Sequence, residues 1–214
     1  MPGAPNRPPE TGPAPAPPTM FADPPERKVL RRLAASRIAL LLDPWKGAPS
    51  PDLTTPLEKA ETAFASGDFS TASGALDMLS VRLAEPRWPT LPEPFRRLRV
   101  SIPTPMPPHW DPDHALQPPE REAKRARSAA DDQLALAAAS VGWLGAHQIE
   151  VADLAPRLDE ARTILGTEGP GAAFYERIDA VWEAVRARAP TLRPGGPRPS
   201  ARSVAPAEPE TGEV

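Results

Sequence analysis

The stretch LEKAETAFASGDFSTASGALDMLSVRL, residues 57–83, decides the fold. Leu57, Ala60 and Phe64 fall on one face of a helix with 3.6 residues per turn. Ser66-Gly67-Asp68 then interrupts, with a glycine suited to end one helix and an aspartate suited to cap the next. Beyond it Ala72, Leu76, Leu79 and Leu83 recur at i, i+4, i+7 and i+11, again one helical face. Two amphipathic helices, over 57–65 and 69–84, joined by so short a turn make an αα-hairpin.

The same period extends outward. Leu30, Ala34, Ile38 and Leu41 predict a helix within 26–43, with Asp23 as its cap and Pro24-Pro25 in its first turn. A long helix is predicted from Pro118 to about His147. Its first half, Glu120 to Arg127, is charged, and its second, Leu134 to Ala139, is apolar nearly all round. A helix apolar on every side belongs among other helices, so this one is the expected central element. Asp153 is placed to cap the next helix, in which Leu154, Leu158, Ala161 and Leu165 align and Gly166 marks the end. Pro170 opens the last, with Phe174, Ile178, Val181 and Val185 on one face. No segment alternates as a strand would. The class is all-α: a bundle of about six helices, built from two αα-hairpins and a central apolar helix.

Proline sets the boundaries. The chain carries 33 prolines in 214 residues, roughly three times the usual share, and proline inside a helix costs about 3 kcal/mol. Ten lie in 1–25, eleven in 86–119 and six in 190–214. The expected organisation is therefore a Pro/Ala-rich disordered tail (1–22), a helix and hairpin (23–85), a proline-rich strap (86–117), a three-helix segment (118–190) and a second disordered tail (191–214). Leu, Ile, Val and Phe total 39 residues, a share at which disorder is a serious suspicion, but the net charge of −3 does not force an extended chain.

The two hairpins echo one another: Leu57–Phe64 aligns with Leu158–Leu165 at an offset of 101, a match that shared helical period alone produces. From Ala60 to Leu79 the first hairpin resembles a tetratricopeptide repeat, through Ala60, Ala63, Phe64, Gly67-Asp68-Phe69, Ala72, Leu76 and Leu79. The resemblance implies a turn at the Gly-Asp-aromatic and small alanines packed on a neighbouring helix. It lacks tandem copies, and stacked repeats need about three to bury a continuous core. The likeness is thus to a hairpin solution.

Composition narrows the function. Zero cysteines exclude disulfides, zinc–thiolate sites, iron–sulfur clusters and thiol nucleophiles. The start, Met1-Pro2-Gly3, has neither a basic nor an apolar region, so no signal peptide is expected. The longest apolar run, Leu134 to Ala146, is too short to span a bilayer. The expected location is cytoplasmic, and the excess of Arg over Lys, 21 to 4, reads as codon bias of a GC-rich, prokaryotic genome. No phosphate loop, Gly-x-Ser-x-Gly, His-Glu-x-x-His or Ser-x-x-Lys pattern occurs, and Asp131-Asp132 point about 100° apart on a helix. No enzyme is expected, and no cofactor.

Three constellations remain. Arg27, Lys28, Arg31, Arg32 and Arg37 stand against a single Glu26, and Arg96, Arg97 and Arg99 form a second basic cluster. The like-charge i,i+4 pairs in a helix's first turns weaken the helix, so an acidic partner is one account of them. Carboxylates from neighbouring helices are the other. The strap carries Trp88, Leu91, Phe95, Leu98, Ile102, Met106 and Trp110 among its prolines, which suits docking on the protein's own helices better than a free polyproline ligand. His109-Trp110-Asp111-Pro112-Asp113-His114 has the residue types of a metal site but also of a turn. The leading expectation is a non-enzymatic, macromolecule-binding scaffold with a protein partner, using Arg27, Lys28, Arg31, Arg32, Trp88, Arg96, Arg97, Arg99 and Trp110. The alternatives are a nucleic-acid- or ribosome-associated factor using the basic first helix, and a small metal-dependent enzyme using His109–His114.

Overall fold

The computed structural model describes residues 23–42, 49–99 and 118–192. They form six α-helices: α1 (Pro25–Leu41), α2 (Pro51–Ala65), α3 (Phe69–Leu83), α4 (Pro118–Ala146), α5 (Leu154–Thr167) and α6 (Ala172–Arg188), with a 3-10 turn at Phe95–Leu98. The bundle is all-α, as the patterning predicts, and no strand occurs among the described residues. Residues 1–22 and 193–214 of the expected tails, residues 100–117 with Ile102, Met106 and Trp110, and the His109–His114 cluster lie outside the described residues.

The hairpin is built as its sequence dictates. Gly67 takes φ +78°, a conformation that costs glycine little, while the Asp68 N–H donates to the Ala63 carbonyl at 2.9 Å. Asp68 then caps α3, its Oδ1 accepting from the Thr71 N–H at 2.9 Å. Hydrogen bonding from Thr71 holds the Asp68 carboxyl below its ordinary range. Leu76 and Leu79 are buried with Leu57 and Ala60 in one core, and Phe64 meets Phe69 edge-on at 5.6 Å across the turn.

Several boundaries differ from the sequence reading. α2 starts at Pro51, six residues early, capped by the Ser50 hydroxyl, and carries Pro56 inside it. Pro51 falls where an N–H has no intrahelical acceptor, whereas Pro56, at the sixth position, denies the Asp52 carbonyl its usual donor. Asp153 stands at the N-cap of α5 as expected, whereas Pro24 takes that place in α1, and neither aspartate makes a capping hydrogen bond: Asp23 turns to Arg31 and Asp153 to Arg188. α5 runs through Gly166, and Gly169, at φ +84°, carries the turn instead. Leu192, in the segment expected as a tail, packs on the core.

The larger correction concerns the centre. α4 is one-sided: Ala130, Ala137, Val141 and Leu144 are buried, whereas Ala135 and Gly142 are exposed. The central helix is α1, which touches α2, α3, α4, α6 and the 3-10 turn. Leu33, Ala34, Ala35, Ile38, Ala39 and Leu40 are all wholly buried. Small side chains at Ala34, Ala35 and Ala39 let neighbours approach on several sides at once. The alanine run in α4 contributes helix propensity, not an all-round apolar surface.

The described part of the strap lies on this core. Leu91 is wholly buried and Phe95 nearly so, with Trp88 and Leu98 packed at the edge. The Arg87 guanidinium covers the Trp88 ring at 4.5 Å. Chemical denaturation of Leu76→Ala and Leu91→Ala should each show a loss of about 2–5 kcal/mol, the usual cost of emptying a packed leucine site. Met78, 54% exposed on α3, serves as control: its alanine variant should stay within about 0.5 kcal/mol. An unchanged Leu91→Ala midpoint would detach the strap from the core.

Candidate functional site

The arginines of α1 point inward or sideways to carboxylates on other elements. Arg31 is buried, donating to Asp179 of α6 at 2.6 Å and to Asp23. Its guanidinium also lies 5.1 Å from the centre of the Tyr175 ring. Arg27 reaches Glu183 of α6, and that hydrogen bond raises its pKa further. Arg32 donates to Asp77 at 2.6 Å and to Ser73 at 3.3 Å, both on α3. Arg37 holds Glu61 of α2 through Nε at 2.7 Å and reaches the Arg186 carbonyl at 3.2 Å. Lys28 stays exposed, with no carboxylate in ion-pair range among the described residues. What reads as a basic face in sequence is a set of pins between α1 and its neighbours.

Two carboxylates on one buried guanidinium leave a net negative charge. Burial pushes the Asp179 carboxyl above its ordinary range, outweighing the opposing pull of Arg31. The folded state therefore holds this proton more tightly than the unfolded chain. Its contribution to stability is fully present below the ordinary carboxylate range and is lost as pH rises through the raised value.

The second basic cluster sits on the strap, whose 3-10 turn packs against the same helix. Arg32 and Ser36 of α1, Ser80 of α3, Arg97 and Arg99 of the strap, and Asp132 and Gln133 of α4 line a cleft of about 370 Å³. Pro94, Leu98, Ala129 and Leu136 supply its apolar wall. The cleft thus gathers three residues chosen from sequence, Arg32, Arg97 and Arg99. Their states differ. Arg32 is held by Asp77, and Arg97 by Asp132 with Glu93 at 3.8 Å. Arg96, at the rim, meets Glu93 at 3.5 Å and the Leu91 carbonyl at 3.4 Å.

Arg99 is the exception. It donates to the Pro89 carbonyl, but its Nε–H is buried without a partner, and no carboxylate lies in ion-pair range among the described residues. Burial and then the Arg96 charge hold its pKa below the usual arginine value. Across the cleft the Gln133 Oε1 is likewise buried without a partner. A half-buried guanidinium on the Pro89 carbonyl, with one N–H unmatched, and a half-buried amide with an unmatched oxygen are the chemical content of this site.

Gln133, Ser36 and Ser80 were not singled out in sequence, and Asp132 was weighed only with Asp131 as an acid–base pair, because no period says which face of α4 or α3 meets the strap. Asp131 and Asp132 do diverge: one pairs with Arg127 at 3.3 Å, the other with Arg97. Trp88 lies on the core edge, away from this lining. His147 ends α4, stacked on Trp143 at 4.0 Å, its Nδ1–H donating to the Trp143 carbonyl at 2.8 Å. Among the described residues no group of His, Asp and Glu could hold a metal, and no helix is long and apolar enough to cross a membrane. Compared with family models, curated proteins and solved structures, the chain matches none.

The pinning of α1 yields an asymmetric expectation. Arg31→Met should lose about 3–5 kcal/mol, because two carboxylates are left buried without their cation. Asp179→Asn leaves a neutral Arg31–Asp23 pair and should cost clearly less. Its stability relative to the parent should also improve as pH rises from about 4 to 7, where the parent must ionise Asp179. Urea titrations at both pH values measure this, and equal losses for the two variants would count against the pinning.

Proposed function

We propose that the chain is a non-enzymatic helical scaffold that binds another protein through the cleft between α1, α3, α4 and the strap. The observation that carries this reading is Arg99. Every arginine of α1 has a carboxylate from its own fold, while Arg99 has none in ion-pair range among the described residues, the Asp132 carboxylate of the same cleft being held by Arg97. A half-buried guanidinium without a counter-charge is a place where an acidic group delivered by a partner would form a charge-assisted hydrogen bond.

The non-enzymatic part is supported by the state of the polar lining. The Ser80 hydroxyl donates to the Leu76 carbonyl at 2.8 Å and the Asp132 carboxylate is held by Arg97, so neither sits as a nucleophile beside a free base. The nucleic-acid reading needs a free basic surface on α1. Arg27, Arg31 and Arg32 are each held by carboxylates, which leaves it without its motivating feature.

Capture from a lysate of the native cells tests the proposal. The full chain and its Lys28→Glu control should retain the same partner, and Arg99→Glu should lose it by tenfold or more at an unchanged melting temperature. Capture indifferent to the Arg99 reversal would reject the cleft as the binding site. Capture abolished by nuclease would return the nucleic-acid reading.

A further inference from the structure

We infer that Asp23, Arg31 and Asp179 form a proton-operated latch on the first turn of α1. It is shut while the two carboxylates hold one proton between them, and it lets go of Asp23 when that proton leaves.

The geometry sets up the device. Arg31 enters the interface between α1 and α6 and is 4% exposed, with Asp179 of α6 at 2.6 Å and Asp23, just before the first turn, on its other side. One guanidinium neutralises one carboxylate. A second anion on the same buried cation faces the first in a low dielectric, so the pair keeps a proton that an exposed carboxylate would lose. Asp179 is the deeper of the two, its side chain 9% exposed against 17% for Asp23. Burial makes it the one that holds the proton.

Other charges near Asp179 do not cancel this. From α1 it is also faced by Arg27, which Glu183 holds, and along its own helix by Tyr175, Glu176 and Glu183. α4 and α5 pack on α6 as well, and neither brings a charged group within ion-pair range of Asp179 among the described residues. Solvent protons reach the site through a surface cavity of about 400 Å³, which Asp179 lines with Pro24, Ala172 and Tyr175.

Tethering decides which carboxylate leaves. Asp179 is fixed within α6, a helix packed on α1, α4 and α5, whereas Asp23 lies outside α1 and is held through its side chain. Its Oδ1 is buried without a partner while the latch is shut, so turning out to water recovers solvation. The turn that follows then loses its anchor. There the Pro24 carbonyl accepts from the Arg27 and Lys28 N–H groups at 3.1 and 3.2 Å, and these are the bonds that fray. The exposed Arg27–Glu183 pair does not replace the latch, because such pairs add little. Rising pH opens it: the latch is shut below the ordinary carboxylate range and open above the raised value of Asp179.

The test uses the full chain, ¹⁵N-labelled and with the ring of its one tyrosine, Tyr175, ¹³C-labelled. The Arg31 guanidinium lies 5.1 Å from the centre of that ring. Burial holds the phenol above its own ordinary pKa, so the ring reports the triad without titrating itself between about pH 4 and 7. Its signal should titrate once in that window. The protection factors of the Arg27 and Lys28 amides, which divide out the base catalysis of exchange, should fall roughly five- to tenfold about the same midpoint, the worth of one hydrogen bond. The Leu76 and Leu79 amides should not change. Asp179→Asn should abolish both steps with the turn protected throughout, and Asp23→Ala should leave the turn poorly protected at every pH.

A fall in protection that survives in Asp179→Asn would overturn the inference. So would a ring titration with flat protection at Arg27 and Lys28, since a proton would then bind without holding anything shut, and so would a ring signal that does not titrate in this window. Glu183→Gln leaves the triad intact and should keep the step; its loss there would move the device to the Arg27–Glu183 pair and remove the latch.

Discussion

The fold depends on burying a helix that carries arginines. α1 supplies the centre of the core through Leu33, Ile38, Leu40 and the alanines between them, yet Arg27, Arg31, Arg32 and Arg37 ride on the same helix. A guanidinium cannot be taken from water alone; the desolvation penalty is several kcal/mol per ion even after relaxation. Each of these cations therefore recruits a carboxylate from a surrounding element: Asp179 and Glu183 on α6, Asp77 on α3, Glu61 on α2. Ion pairs of this kind add little net stability. Their effect is on geometry, because hydrophobic burial is indifferent to small slides and rotations while a bonded pair at 2.6 Å is not. Three helices are thereby fixed in register on one.

That arrangement leaves room for an unusual element. A loop is ordinarily kept out of a core because its N–H groups must be satisfied. Between Pro86 and Pro94 the strap has prolines at 86, 89, 92 and 94, each of which has no N–H to satisfy. Leu91 and Phe95 can consequently enter the core with few orphaned donors in tow. The same docking carries Arg96, Arg97 and Arg99 to the flank of α4 and creates the cleft. Core packing of two apolar residues positions the polar chemistry of three neighbours.

Much of this was legible. The hairpin was, since Gly67 and Asp68 punctuate two clean periods and tertiary context adds nothing that opposes them. The strap's apolar residues gave its docking side. The identity of the central helix was not legible, because arginine in a first turn looks like solvent-facing charge until its partners, at sequence distances above 100 for Asp179 and Glu183, are brought beside it. α4 misled in the opposite sense. Its alanines count as apolar letters, but alanine is as much a helix former as a core residue. The cleft was half legible: Arg97 and Arg99 stood out as charge, whereas Gln133 is one polar residue of many and gains meaning only from the arginine opposite.

The comparison between the two basic clusters is the part that bears on function. Both are arginine-rich and both lie against α1, so residue type alone gives them equal claim to a partner. Structure separates them by a single criterion, which is whether the fold itself supplies the counter-charge. It does for Arg27, Arg31, Arg32 and Arg37, through three helices and Asp23. On the strap it does for Arg96 and Arg97, through Glu93 and Asp132. A chain of net charge −3 has no general shortage of carboxylates, and Asp132 stands in the same cleft as Arg99. Arg99, half-buried on the Pro89 carbonyl, is the strap arginine that has no carboxylate in ion-pair range among the described residues, and it is therefore on this residue, not on the arginine-rich face of α1, that the proposed partner contact rests.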